Sequence, residues 1–307
     1  MIPSTIPPKT RIGDYVIDRP LSEIGGMSQL FLATHYTDPY IKVALKIQRA
    51  GGEKSAAFAD LMDREIELLQ KLRHPGIVRI YPQEIDGRLV YRAKAHGLPY
   101  QPWYFVMEYL TGRTIDTYIN QIANMPLPWI IELFYQILII VDYLHRNRCA
   151  HCDLKPQNIF LTHAPKQDHP PQPILIDFGT GTLPDKAAVH LAGSLRYSPA
   201  EVLLALQRQD PTLRQQIIPP KVDIWALGAI LFELIAGRPL ANASLRNGIT
   251  TTIIRGEFDQ LTQIKPHTDP QILLKLDKIL AQMLKPNPTQ RPSTAMLIRA
   301  IEEKIPP

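Results

Sequence analysis

Residues 149–158 read Cys-Ala-His-Cys-Asp-Leu-Lys-Pro-Gln-Asn (CAHCDLKPQN). The stretch admits two chemistries. Cys149, His151 and Cys152 could be half of a metal or redox site, whereas Asp153, Lys155 and Asn158 could form a phosphoryl-transfer loop. A structural zinc site takes four Cys or His ligands, usually as two separated pairs, and the chain contains only 2 cysteines. The strand-then-helix setting of a dithiol redox motif is also missing. The metal half-site fails on ligand count, and Cys149 is expected to be a small packed thiol.

The flanks of the stretch favour the other chemistry. A long amphipathic segment, Trp129–His145, precedes it, and the apolar run Trp103–Leu110 (WYFVMEYL) before that reads as a strand. After it come a short apolar strand, Ile-Leu-Ile at 174–176, and Asp177-Phe178-Gly179. Asp153, Asn158 and Asp177 thus fall on loops beside strands. A carboxylate able to accept a hydroxyl proton, with Asn and Asp as hard oxygen ligands, is the donor set that Mg²⁺-nucleotide phosphoryl transfer uses. Lys155, two residues past Asp153, is placed to neutralise a transferring phosphoryl group.

At 307 residues, with 45% apolar and 21% charged side chains, the chain has room for two lobes with cores of their own. Its net charge of +5 comes without a Lys/Arg run or basic-aromatic interleaving, so no nucleic-acid partner is expected. The N-terminus lacks the apolar core of a signal peptide. Trp129–His145 is broken by Glu132, Gln136 and Asp142, and Ile224–Ala236 is 13 residues long with Glu233 inside it, whereas a membrane span needs about 20. Both read as buried helices, and a cytoplasmic protein with no membrane span is expected.

These motifs, in this order, resemble the eukaryotic-type (Hanks-type) serine/threonine protein kinases, in the style of their bacterial members, from about Gly13 to Ile305. The resemblance implies an α+β, bilobal protein-kinase-like fold. A small antiparallel β-sheet N-lobe with one regulatory helix would span 13–107, a larger, mostly helical C-lobe 108–305, and a Pro-rich tail 1–12. Val43-Ala-Leu-Lys46 resembles the strand that carries the phosphate-anchoring lysine. On the helix Phe58–Leu72 after it, Leu61, Glu65, Leu68 and Leu72 share one stripe. A carboxylate on such a face costs several kcal/mol unless a cation meets it, and Lys46 is the partner that the family supplies.

The remaining roles are implied by the same resemblance. Asp153 would orient the substrate hydroxyl and accept its proton, Lys155 would steady the transferring phosphate, and Asn158 and Asp177 would hold Mg²⁺, with Mn²⁺ as a substitute. Gly25 and Gly26 would cover the phosphates of ATP. Leu30, Ala44, Leu161 and Ile176 would line the base between the lobes, Met107 would be the gatekeeper, and Glu108 and Leu110 would offer backbone groups to adenine. Gly193–Glu201 resembles the segment ending in Ala-Pro-Glu, with its Ser194 hydroxyl bridging Asp153 and Lys155. Asp223 would hold the catalytic-loop backbone, and Arg291 would pair with Glu201.

The departures carry information too. The phosphate loop has Glu23 and Ser28 where two of the family's three glycines stand, although glycine lets backbone N–H groups close over phosphate. Three segments exceed a minimal kinase. Residues 82–101 should lengthen the N-lobe sheet as a hairpin turning at Asp86-Gly87, 163–173 form a Pro-rich loop, and 204–220 extend the link to the Asp223 helix. The first and last of these are candidate partner surfaces. Cys152 replaces the arginine that receives an activation-segment phosphate, and residues 183–193 contain no Ser, Thr or Tyr. The expected enzyme transfers the ATP γ-phosphate to Ser or Thr hydroxyls of protein substrates, without dependence on activation-loop phosphorylation. The same residues leave open a scaffold that binds nucleotide poorly, favoured by the eroded glycines. A small-molecule kinase also stays open, though Glu201, Asp223 and Arg291 speak against it.

Overall fold

The computed structural model describes residues 6–21, 28–49, 55–182, 194–209, 211–265 and 268–304. Two compact units emerge: residues up to Arg73 with Val78–Thr111, and His74–Ile77 with Gly112 onward.

The first unit is built on a curled antiparallel sheet in the order β1-β2-β3-β4-β9-β5, with β8 also paired to β9. Its strands are β1 (Arg11–Ile12), β2 (Tyr15–Pro20), β3 (Ser28–His35), β4 (Lys42–Gln48), β5 (Ile80–Tyr81), β8 (Ala93–Lys94) and β9 (Trp103–Glu108). One helix, α1 (Ser55–Lys71), lies between β4 and β5. Side chains alternate between the two faces of a strand. On one face Phe31, Val43, Leu45, Ile47, Tyr104 and Val106 pack into a core with Ile6, Ile12 and Ile17. The opposite face carries Leu30, Ala44, Lys46, Phe105 and Met107, since Leu30 and Phe105 flank Lys46 in register and Met107 flanks Ala44.

Three expectations shift here. Arg11–Ile12 is a strand of the sheet and Ile6 is in its core, so the packed chain starts before residue 13. Helix α1 begins at Ser55 rather than Phe58, and its buried face is wider than one stripe, taking in Met62, Ile66 and Leu69. The hairpin of 82–101 does turn at Asp86-Gly87, both left-handed (φ 51° and 71°), as a two-residue turn of this twist requires. However, β6 (Gln83–Ile85) and β7 (Arg88–Val90) form a separate two-stranded sheet, and it is β8, further along the same segment, that lengthens the main sheet by pairing with β9. Pro82, which follows β5, has no N–H to carry the main ladder onward.

The second unit is mostly helical. Its small sheet, β10 (Arg113–Thr114), β11 (Ile159–Leu161) and β12 (Pro173–Leu175), is antiparallel. Its helices are α2 (Ile119–Ile122), α3 (Leu127–Arg146), α4 (Ala200–Arg208), α5 (Pro211–Gln215), α6 (Pro219–Ala236), α7 (Arg246–Arg255), α8 (Leu261–Ile264), α9 (Pro270–Met283) and α10 (Thr294–Lys304). Every residue of α6 from Val222 to Ile235 is buried, which is the mark of a central core helix. It stops where Gly237 turns left-handed (φ 72°). Helix α3 is long and apolar enough to cross a membrane, but 67% of that window is buried within the protein. Its Asp142 accepts from the Thr294 hydroxyl (2.7 Å) and pairs with Arg146 (2.6 Å).

His74–Ile77 belongs to this unit because Leu175 N–H donates to Gly76 O (2.8 Å) and Ile77 bridges Leu175. A Cβ at Gly76 would lie 2.4 Å from Ile140 Cδ1, so a larger residue there would have to displace that side chain of α3. The 204–220 segment is not loosely draped. Val202, Ala205, Ile217 and Val222 form a core of their own, with Leu206 and Leu213 packed on it.

Candidate active site

In the first unit Lys46 and Glu65 meet. Lys46 Nζ donates to both carboxylate oxygens of Glu65 at 2.7 Å. Glu65 is 2% exposed, so α1 carries it into the apolar face as the sequence pattern requires, and the ammonium compensates the buried charge. Leu30, Ala44 and Met107 share the sheet face of Lys46. Glu108 N–H donates to Arg79 O (2.9 Å). Gly25, Gly26 and Glu23 lie outside the described residues, and Ser28 opens β3.

In the second unit the residues of the 149–158 loop converge on Asp153. Its Oδ2 accepts from Lys155 Nζ at 2.6 Å and from Asn158 Nδ2 at 3.2 Å, and its Oδ1 accepts from Ser194 N–H at 3.1 Å. Asn158 Nδ2 also donates to the Asp153 carbonyl (2.8 Å). The carboxylate is therefore held from both oxygens. The Ser194 contact differs from expectation: the backbone amide, not the hydroxyl, reaches Asp153, so the side chain at 194 is not what makes the link.

The loop itself is held from beneath. Asp223, fully buried, accepts from His151 N–H (2.9 Å), Cys152 N–H (2.8 Å) and His145 Nε2 (3.0 Å). These bonds hold Cys152 in an unfavourable shape, with a left-handed φ of 61°; Arg148, just past the end of α3, is left-handed as well (58°). A non-glycine residue pays for such a φ and keeps it only when its surroundings over-determine it. Asp177 is left-handed too (φ 62°), while Phe178 turns inward, 1% exposed, onto the His151 ring at 4.7 Å.

His151 is the member that sequence reasoning missed. It is fully buried, its Nε2 meets Ile176 O (3.1 Å) and its Nδ1 accepts from Asp153 N–H (3.4 Å). It thereby links the Asp153 loop to the Asp177 strand, and Ile176 N–H returns a bond to Asn158 O (3.0 Å). The signal was in the quoted stretch, where the same histidine had been weighed as a metal ligand. Both ring nitrogens of His151 are engaged in these bonds, and Cys149 Sγ lies on Asn147 O (3.4 Å). Leu161 is buried in β11, and Ile176 follows β12 directly.

Thr180 and Thr182 add an unforeseen clamp. Thr180 Oγ1 donates to His151 O (3.2 Å), Thr182 Oγ1 accepts from Ala150 N–H (3.0 Å), and Thr182 N–H donates to Ala150 O (2.9 Å). Downstream, Arg291 donates to both oxygens of Glu201 (2.7 and 2.9 Å) and to the carbonyls of Lys285, Lys221 and Pro286. The Tyr197 hydroxyl donates to Glu233 (2.6 Å) inside the core. Burial pushes the Glu233 carboxyl above its ordinary range, against the opposing pull of Tyr197 and Arg196.

The donor set fits a divalent cation of the Mg²⁺ type. Among the described residues no three His, Cys, Asp or Glu gather into a metal cage. Asn158 and Asp177 instead offer two oxygen ligands, the small protein share that Mg²⁺ takes when phosphates complete its shell.

Comparison with known proteins agrees with this geometry. The protein kinase domain profile matches residues 23–301. The chain is 31% identical to the mouse serine/threonine-protein kinase Nek3 over 76% of its length and 40% of that protein's. It is 30% identical to a carbon catabolite-derepressing protein kinase of Candida albicans over 80% of the chain and 36% of that protein. With the sucrose non-fermenting protein kinase 1 of Fusarium virguliforme the identity is 32%, over 74% of the chain and 28% of that protein. The chain thus spans two fifths or less of the length of these relatives. A strand lysine paired to a helix glutamate, an Asp-Asn-Asp oxygen set and a buried Arg291 paired with Glu201, all within one matching profile, make this chain a member of the protein kinase domain family, with its bilobal fold.

Proposed function

We propose that the chain is a serine/threonine protein kinase that transfers the γ-phosphoryl group of ATP, with Mg²⁺, to hydroxyls of protein substrates. The observation that carries this reading is the convergence on Asp153: a carboxylate held by Lys155, Asn158 and Ser194 N–H. A base oriented in this way can accept a hydroxyl proton as the oxygen attacks. Lys155 screens the charge that gathers on the transferring group, and Lys46, held by Glu65, is assigned to the nucleotide phosphates. Mg²⁺, when bound, neutralises phosphate charge, and Asn158 and Asp177 are the residues that would hold it. Lys155-Pro156 after Asp153 supports Ser/Thr rather than Tyr specificity. Transfer of labelled phosphate from ATP to the protein itself or to a generic protein substrate, abolished by Asp177→Asn and by EDTA, is the expected result. No transfer by the parent chain, together with no thermal shift on adding Mg-ATP, would instead establish the nucleotide-poor scaffold.

The second part of the reading is assembly without activation-loop phosphorylation. Cys152 offers a thiol where a phosphate receptor needs a cation. Thr180 and Thr182, the hydroxyls nearest Asp177, are buried and already hydrogen-bonded to the catalytic loop. Residues 183–193 lie outside the described residues, and their sequence lacks an acceptor hydroxyl. Phosphatase treatment should leave activity unchanged; loss of activity with the phosphate mapped to 180–198 would refute this part. The same reading sets the chain in bacterial cytoplasm, which a sequence with only 2 cysteines suits. Recovery of the protein from the membrane pellet of fractionated cells would count against it.

A further inference from the structure

The 82–101 insertion does more than raise a hairpin. Arg92, two residues past the end of β7, donates to the Asp63 carboxylate on α1. Its guanidinium also lies 4.1 Å over the Trp103 ring, and Lys94 Nζ lies 4.0 Å from the same ring. Lys94 and Trp103 are partners in the β8–β9 ladder, so their side chains stand on one face of the sheet. Trp103 shares that face with Phe105, the ladder partner of Lys46. It is the face on which α1 brings Glu65 to Lys46.

Helix α1 is thus held at two carboxylates, Glu65 buried against Lys46 and Asp63 exposed against Arg92. Residues two apart on an α-helix lie about 200° apart around its axis, so the two bonds take hold of opposite flanks. A bond on one flank resists rolling of the helix poorly, whereas bonds on both flanks fix its rotation. An exposed ion pair is usually worth little, because ordering two side chains offsets the attraction. Here much of that ordering is done beforehand, since Trp103 seats the guanidinium over its ring. The turn between β8 and β9 fixes the register that makes this seat. Its Tyr100 and Gln101 are both left-handed (φ 63° and 44°), a strain that persists only where the surroundings over-determine it. Ala95 N–H on Pro102 O (2.9 Å) and Gln101 N–H on Leu98 O (3.1 Å) hold it closed.

We propose that Arg92, seated on Trp103, is a positioning residue for phosphoryl transfer. It grips Asp63 and so fixes the rotation of α1 that delivers Glu65 to Lys46. The inference rests on the kinase reading, in which Lys46 is assigned to the nucleotide phosphates. The grip is made entirely of residues of the first unit and needs no phosphate to form. It therefore accords with assembly without activation-loop phosphorylation.

Asp63→Ala separates positioning from stability, because the two roles predict opposite signs. Alanine is the better helix former, so Tm should stay level or rise. Meanwhile kcat for transfer to a generic protein substrate should fall about 5-fold with KM for that substrate unchanged. Arg92→Ala should lose the same factor, and the double variant no more than either single one, since all three remove one bond. Arg92→Lys, which keeps the charge, should recover about half of the lost rate. In a Glu65→Gln background Asp63→Ala should cost nothing further, because the contact it serves is already gone. An unchanged kcat in Asp63→Ala, a Tm that falls together with its rate, losses that multiply in the double variant, or an undiminished loss in the Glu65→Gln background overturns the proposal. Amide exchange judges the grip without reference to activity. In Arg92→Ala, which leaves the helix sequence untouched, the α1 amides should exchange about 3-fold faster, and parent-like exchange overturns the proposal. Faster exchange in a chain whose parent transfers no phosphate would sink the kinase reading and leave the grip standing.

Discussion

In the first unit the decisive joint is made between two side chains, Lys46 on a strand and Glu65 on a helix. In the second unit the joints run from buried side chains to backbone: Asp223 takes the N–H groups of His151 and Cys152, and Arg291 feeds three carbonyls besides Glu201. The difference is one of consequence. Losing a side-chain partner misplaces a charge, whereas losing a backbone partner orphans main-chain groups that nothing else in the core can satisfy. The first kind of joint should govern activity, and the second should govern whether the loop and its unit exist in folded form.

The sharpest way to break this contrast is Arg291→Ala. It leaves Glu201 without its bidentate cation and strips three carbonyls, so a loss of about 3–5 kcal/mol is expected, seen as a Tm lower by about 10 °C. The residual folded fraction should keep most of its specific activity; a normal Tm with lost activity would reverse the assignment. Glu65→Gln should behave in the opposite way. An acceptor remains for Lys46 but its position is no longer held by charge, so activity should fall about 100-fold with a Tm shift of only a few degrees. If the melt falls as far as in Arg291→Ala, the two joints are not different in kind.

Smaller effects refine the picture. Thr182→Val leaves the buried Ala150 N–H without its acceptor, at a cost of about 1–3 kcal/mol. Amide exchange at Ala150 should rise, and Thr182→Ser should restore protection. Glu233→Gln tests the buried carboxyl. Its folded pKa is raised above the ordinary 4.5 by burial, so the stability it contributes is complete below that value and is lost as pH climbs through the raised one. The variant should match the parent near pH 4, exceed it slightly at pH 7 to 8, and show a flatter Tm profile between. A parallel profile would mean that Glu233 does not titrate in this window.

Much of this architecture can be read without coordinates. Lys46 and Glu65 were legible because a carboxylate on an apolar helical stripe needs a cation, and Glu201, Asp223 and Arg291 because they recur in motif order. The less legible parts all depended on backbone. Ser194 acts through its amide, which no side-chain identity encodes. Within 82–101 the Gln83–Val90 hairpin stands apart from the main sheet, since Pro82 interrupts the ladder, while Ala93–Lys94 joins that sheet on β9. Thr180 and Thr182 look like accessible hydroxyls in sequence, and only packing shows them buried on the catalytic loop.

By itself the sequence determined the residue types: an Asp-Asn-Asp oxygen set, a strand lysine, a helix glutamate, and a cysteine where a phosphate-binding cation would stand. Chemistry of that sort is a property of side chains in order, so it survives without geometry. The tertiary structure decided which atoms of those residues engage, that His151 bridges the Asp153 and Asp177 loops, that the strained left-handed turn at Cys152 is held in place from Asp223, and that Arg92 of the 82–101 segment reaches Asp63 on α1. Those depend on contacts between segments far apart in the chain, and local patterns of three or four residues carry no record of them.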